Sequence, residues 1–153
     1  MELVPVVAVA MLAFVAYGIF GTIKKGNQRK LLESGLKEKA GPESHVIVTE
    51  QADILSKPRG LAVSDQDLWV AECDDIRRIP HSKIVRADVL SKFGAAENFV
   101  KLRLTIDDLS RPSFEMSMID SHAPTQKMAR ARADEWKSRL DACIHRSRVK
   151  PPS

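Results

Sequence analysis

The side chains that could do chemistry in this sequence are few, and their spacing decides what they could do. Two carboxylate groups stand out, Glu72 with Asp74-Asp75, and the pair Asp107-Asp108. Paired carboxylates act in acid–base catalysis or hold hard cations when their oxygens converge and their environments drive their pKa values apart. Here each group lies at the end of an alternating run, with Arg77, Arg78 or Arg111 close by in sequence. That is the pattern of a solvated, ion-paired turn. Ser64, Ser82 and Ser110 lack the GxSxG context of an exposed nucleophile. His45, His81, His122 and His145 never fall at metal-ligand spacing, and no CxxC occurs. His81, in "IPHSK", reads as a turn residue. Neither a phosphate loop nor a dinucleotide glycine pattern is present. The sequence therefore points away from an enzyme and implies neither cofactor nor metal.

Cys73 and Cys143 are the two cysteines, far apart in the chain. A secreted domain held by disulfides would carry more of them. Two reduced, mostly buried thiols in a reducing compartment are expected.

The elements that position these residues begin with "LVPVVAVAMLAFVAYGIFGTI". Leu3 to Ile23 is an uncharged run of 21 residues. As a helix it rises about 31 Å, against a hydrocarbon core of about 30 Å. Pro5 falls in the first turn, where no helix hydrogen bond is lost. A cleaved signal peptide would carry positive charge before a shorter apolar stretch and small residues after it. Here Glu2 precedes the run and "KKGNQRK" follows, so residues 1–23 read as a retained transmembrane anchor. The basic residues after the span place the C-terminal bulk on the cytoplasmic side of the inner membrane, with a short N-terminus outside.

Residues 24–43 read as a basic juxtamembrane linker or helix, helical or frayed from Lys24 to Ala40, with a short apolar face of Leu31, Leu32 and Leu36. From Lys24 to Lys39 six basic residues stand against two acidic ones. Lys24, Lys25, Arg29 and Lys30 are the candidate contacts to anionic lipid, each adding about 1 kcal/mol near a charged surface. Gly41-Pro42 then breaks the helix.

Beyond Gly41 the period changes to two, with a one-face-wet, one-face-dry sheet expected. "GLAVSDQDLWVAE" reads as a first hairpin across Asp65-Gln66-Asp67. "DIRRIP" and "SKIVRADVL" follow. "FVKLRLTI" puts Val100, Leu102, Leu104 and Ile106 on one face; "SFEMSM" does the same with Phe114, Met116 and Met118. Asp107 to Pro112 is their connection. "HVIVTEQADIL" fits either a strand or a short helix. From Pro124 onward, Ala129, Ala133, Trp136, Leu140 and Cys143 form one helical stripe. Residues 147–153 read as a disordered tail.

Six to seven short antiparallel strands followed by one amphipathic helix with a central Trp make an α+β order. Over Val46 to Ile144 the chain resembles the pleckstrin-homology-like (PH-like) domains of bacterial proteins of unknown function. The residues that carry it are "GLAVSDQDLWVAE", "IPHSKIVRADV", "LRLTIDDLSRPSFEM" and "ARADEWKSRLDACI". The resemblance implies a bent, partly closed antiparallel barrel over residues 44–146, capped at one end by the helix with Trp136 as its plug. It also implies a binding module. Some members read phosphoinositides through basic residues of the first hairpin loop, which here would be the acidic Asp65-Gln66-Asp67; others bind peptides or proteins, and that use fits this chain.

Three functions follow as expectations. The first is a single-pass module presenting a protein- or peptide-binding surface at the cytoplasmic face. The second is a reader of anionic lipid head groups that adds Lys127, Arg130 and Arg132 to the juxtamembrane cations. The third, nucleic-acid capture by the basic C-terminal helix, lacks interleaved aromatics for base stacking. The net charge of +4 gives it little support.

Overall fold

The computed structural model describes residues 3–50, 57–72 and 75–149. Cys73, Asp74, the segment 51–56 and the tail 150–153 lie outside the described residues. Among the described residues the order is a helix α1 (Leu3–Ala40), strands β1 (His45–Thr49), β2 (Arg59–Val63), β3 (Asp67–Glu72), β4 (Asp75–Pro80), β5 (Ile84–Phe93), β6 (Asn98–Ile106) and β7 (Ser113–Ser117), and a helix α2 (Gln126–Val149). A single 3-10 turn, His81–Lys83, joins β4 to β5. The fold is α+β.

The strands form two antiparallel sheets, β1-β2-β3-β4 and β5-β6-β7, and no ladder closes them into a barrel. The expected barrel is thus replaced by two sheets facing one core. Leu61, Val63, Leu68, Val70 and Ile79 of the first sheet meet Val100, Leu102, Leu104, Phe114 and Met116 of the second. The α2 stripe closes the side of that core. Ala129, Ala133, Trp136, Leu140 and Cys143 are all buried, as their spacing predicted. Cys143 is a free thiol. Thr125 starts the helix by accepting the Met128 N–H on its Oγ1 at 3.2 Å, the role of an N-cap residue.

The largest departure from the sequence reading is at the other end of the chain. α1 is one unbroken helix of 38 residues, about 57 Å long. The juxtamembrane segment takes the helical one of its two expected forms, and its last two and a half turns are docked on the domain. Leu32, Leu36 and Ala40, spaced at i, i+4 and i+8, lie on the outer face of the first sheet against Val46, Val48, Ala62, Trp69, Ala71 and Ile76. Leu36 is fully buried. Leu31 points away and is exposed.

β2 is consequently dry on both faces, which is why it reads "GLAV" without alternation. Gly60 marks the tightest approach. A Cβ there would stand 2.6 Å from Leu36 Cδ1 and 3.1 Å from the Ile47 carbonyl oxygen. A glycine inside a strand commonly records such a close neighbour. Gly41 ends α1 at φ +97°, with its N–H donating to the Lys37 carbonyl at 2.9 Å, the left-handed helix stop that glycine supplies without strain.

Two further boundaries move. α2 runs to Val149, so residues 147–149 are helical and not tail. The strand at His45–Thr49 pairs with β2 from His45↔Val63 to Thr49↔Arg59. The first hairpin is therefore β1–β2. The acidic Asp65-Gln66-Asp67 stretch belongs to the second hairpin, and an argument from first-loop charge does not apply to it.

Candidate functional site

Among the described residues, the carboxylates that could have done chemistry are occupied by turns and ion pairs, and Asp74 lies outside them. Asp108 Oδ1 accepts from the Ser110 N–H at 2.9 Å, the Ser110 hydroxyl at 2.7 Å and the Arg111 N–H at 3.4 Å. These Ser110 bonds, with the Arg111 N–H and Arg77 charge behind them, hold its carboxyl below the usual aspartate value. Arg77 lies 3.3 Å from its other oxygen. Asp107 is exposed, 3.9 Å from Lys83. Asp75 pairs with Arg111 at 2.8 Å, and Glu72 with Arg59 at 3.4 Å. Ser64 closes its own turn, donating to the Asp67 carbonyl at 3.0 Å and accepting the Asp67 N–H at 3.2 Å. Among the described residues no cluster of three His, Cys, Asp or Glu side chains is arranged to hold a metal.

His81 is more than a turn residue. Its imidazole is buried, and Nε2 has no hydrogen-bond partner. Burial lowers its pKa, and the nearby Asp67 backbone and charge offset this only in part.

Of the candidate lipid contacts, Arg29 turns inward. Its Nη1 donates to His122 Nδ1 at 2.6 Å and lies 3.6 Å from Asp120 Oδ2. Asp120 has a fully enclosed side chain and also sits 3.2 Å from Arg132 Nη2. Arg132 in turn donates to the Met118 carbonyl. Burial alone would raise the Asp120 carboxyl. The His122 N–H at 2.9 Å, the Arg132 charge and the Ala123 N–H at 3.2 Å outweigh it and hold it below its ordinary value. Arg29 and Arg132, one from each helix, are thus clamped on one aspartate. Lys24 and Lys30 remain on the surface, and Arg130 is tied to Ser91 Oγ at 2.7 Å and Asp134 at 3.4 Å. No sequence spacing announces this clamp, because its members are separated by about ninety residues. The only advance signal was that Asp120 and His122 flank a short connection leading directly into α2.

A recess lies between β5 and α2. It is a cleft of about 530 Å³ whose lining includes Val85, Ala87, Lys137, Ile144, His145 and Arg148. β5 is an outer strand of its sheet, with β6 on one side only. Residues 85–88 of β5 line this cleft, and an edge strand is a template for an added strand. The register shifts between Ile84↔Ile106 and Arg86↔Thr105, leaving Val85 as the extra residue of a β-bulge. Bulges re-aim side chains next to working surfaces. Val85 is 46% exposed, and its carbonyl accepts from Arg148 Nη2 at 3.0 Å. The walls pair off internally, Arg86 with Asp88 at 2.8 Å and Lys137 with Asp141 at 2.5 Å. Arg148 and His145 then leave the α2 end of the cleft basic. Sequence reading placed Val85 in an ordinary strand; only the register exposes it.

A second recess of about 320 Å³ forms where the α1–β1 turn, the β2–β3 loop and α2 meet, lined in part by Ser44, Val63, Arg139 and Arg146. α1 is long and apolar enough, near the N-terminus, to cross a membrane. Comparison with protein-family models, curated proteins and solved structures finds no match for this chain.

Proposed function

We propose that this chain is a single-pass, membrane-anchored interaction module of PH-like architecture, which holds a segment of a partner protein along β5. The observation that carries the reading is β5 as an outer strand beside the α2 cleft, with the bulged Val85 at the start of its cleft-lining stretch. An extended peptide added there gains main-chain hydrogen bonds from the edge and side-chain contacts from the cleft floor. The order of the elements, four strands, three strands and a helix whose buried Trp136 closes the core, supports the PH-like assignment. The basic end of the cleft favours a partner with an acidic residue near Arg148.

The anchor reading rests on the Leu3–Ile23 run, and the excess of Lys and Arg after it favours a cytoplasmic soluble portion in the inner membrane. A photo-crosslinking residue at Val85, in the full chain in its native membranes, tests the binding site. A discrete protein adduct at Val85 and none at the exposed Leu109 is expected. Adducts to lipid alone would favour the head-group reader, and no adduct at Val85 would remove the β5 site.

A further inference from the structure

We infer that one end of the soluble portion rests on the bilayer surface, with Phe93 and Met128 touching the lipid interface on either side of the first turn of α2. The inference builds on the reading of α1 as a membrane span.

The helix α1 has no break between the apolar run and the docked segment. From Ile23 to Arg29 is six residues, about 9 Å of rise. The head-group layer on one side of a bilayer is about 5–8 Å deep, from the difference between whole and hydrocarbon thickness. Arg29 is fixed to His122 and Asp120, so the loop carrying those two residues lies at the outer edge of the lipid head-group layer.

What surrounds that loop is set by named contacts. Residues 29 to 40 of α1 run alongside the domain, from the 120–122 loop at Arg29 to Ala40, which lines a recess together with Arg139, Ala142 and Arg146 of α2. α1 and α2 thus descend side by side, and the span projects past the α2 N-terminus. The β5–β6 tip is at the same end. Gln126 Nε2 in the first turn of α2 donates to Asn98 Oδ1 at 3.2 Å, and Asn98 faces Phe93 across the hairpin. Phe93 lies on the same side of β5 as Ser91, which Arg130 bonds. Met128 precedes Arg132 by one turn, on the flank of α2 that meets Asp120.

Phe93 is 53% and Met128 48% exposed. A large aromatic at a hairpin tip and a thioether on a first turn are costly in water and well suited to an apolar–polar boundary. Lys127, next to Met128 in the chain, is exposed, and among the described residues it forms no ion pair, nor do Lys24, Lys25 and Lys30. The opposite end of the domain also carries an exposed apolar residue, Leu109, but it lies far from the span and in a loop held by ion pairs. The Asp107–Pro112 loop, at the far end of β6 and about 30 Å from the tip by strand rise, carries ion pairs to Asp75 and Arg77.

The test uses the full chain in phosphatidylcholine–phosphatidylglycerol proteoliposomes, with Cys73 replaced by serine and the buried Cys143 left in place. A polarity-sensitive fluorophore is attached at single cysteines replacing Phe14, Phe93, Met128 or Leu109. All four positions are exposed on the protein, so labelling disturbs no core. The expected result is strong quenching by lipid-attached nitroxides at 14. At 93 and 128 a blue-shifted emission with clear quenching is expected, and at 109 neither. Quenching at 14 with 93 and 128 behaving like 109 overturns the inference and leaves the span intact. Absence of quenching at 14 overturns the span itself, and the inference with it.

Discussion

Arg29 of α1 and Asp120 of the β7–α2 connection form an ion pair at 3.6 Å, with the aspartate side chain wholly enclosed. This contact, with Leu36 packed over Gly60, makes the N-terminal helix part of the folded domain. Removing one partner of a buried, hydrogen-bonded pair leaves the others charged and unmatched, at a cost of about 3–5 kcal/mol. Asp120→Ala should therefore lower the thermal midpoint of the detergent-solubilised chain sharply, while Asp107→Asn, at an exposed side chain, should leave it within the shift of a surface change. Equal midpoints for both variants would show that the clamp contributes nothing.

The docked face predicts how truncation behaves. Without residues 1–40, the outer face of the first sheet exposes Val46, Val48, Ala62 and Ala71, which α1 otherwise covers. Residues 41–153 should thus be less stable and more prone to self-association than residues 24–153, measured by denaturant midpoint and light scattering. Loss of Leu36 alone, as Leu36→Ala, is worth about 2–5 kcal/mol. Identical midpoints for the two fragments would mean that the helix only rests on the sheet.

Gly60→Ala offers a smaller probe of the same contact. Its Cβ would meet Leu36 and a backbone carbonyl that has little room to move. Overpacking of this kind costs about 1–3 kcal/mol. Pairing it with Leu36→Ala should recover part of the loss, which a double-mutant cycle reads directly.

Much of this architecture was legible in the sequence, and the reasons differ by element. The β6 and β7 alternation and the α2 stripe were readable because each buries one face, and a single period then describes the whole element. Phe114, Met116, Trp136 and Leu140 are all buried accordingly. The docking of α1 was not readable, because Leu32 and Leu36 sit among lysines and glutamates and look like a weak surface stripe. Gly60 and the unalternating "GLAV" were the available signals for a second covered face. β1 was ambiguous for the same reason, since a strand buried on both sides loses its period. The clamp and the bulge at Val85 depend on register and long-range contact, which no local pattern encodes.

Trp136 closes the main core, with the Arg139 guanidinium stacked 5.4 Å from its ring. Trp136→Ala should cost about 3–5 kcal/mol, the usual loss for a large buried aromatic. A change below about 1 kcal/mol, within the range of exposed sites, would place the ring outside the core.

His81 gives the stability a pH dependence with a definite sign. Its folded pKa lies below the ordinary 6.5, so the unfolded chain binds the proton first as pH falls. Stability is then full above that value and declines below it, until the folded imidazole also titrates. His81→Phe should flatten the melting profile between about pH 7 and pH 5, where an unperturbed histidine titrates. An unchanged slope in the variant would assign the dependence to other groups.

Hydrogen–deuterium exchange of the full chain in nanodiscs tests most directly whether anchor and domain are one body. The amides of residues 30–40, beyond the apolar run, should exchange as slowly as those of β2, because Leu36 cannot leave Gly60 without opening the sheet face. Rapid exchange of residues 30–40 beside a protected β2 would contradict the account, and α1 would be only a tether.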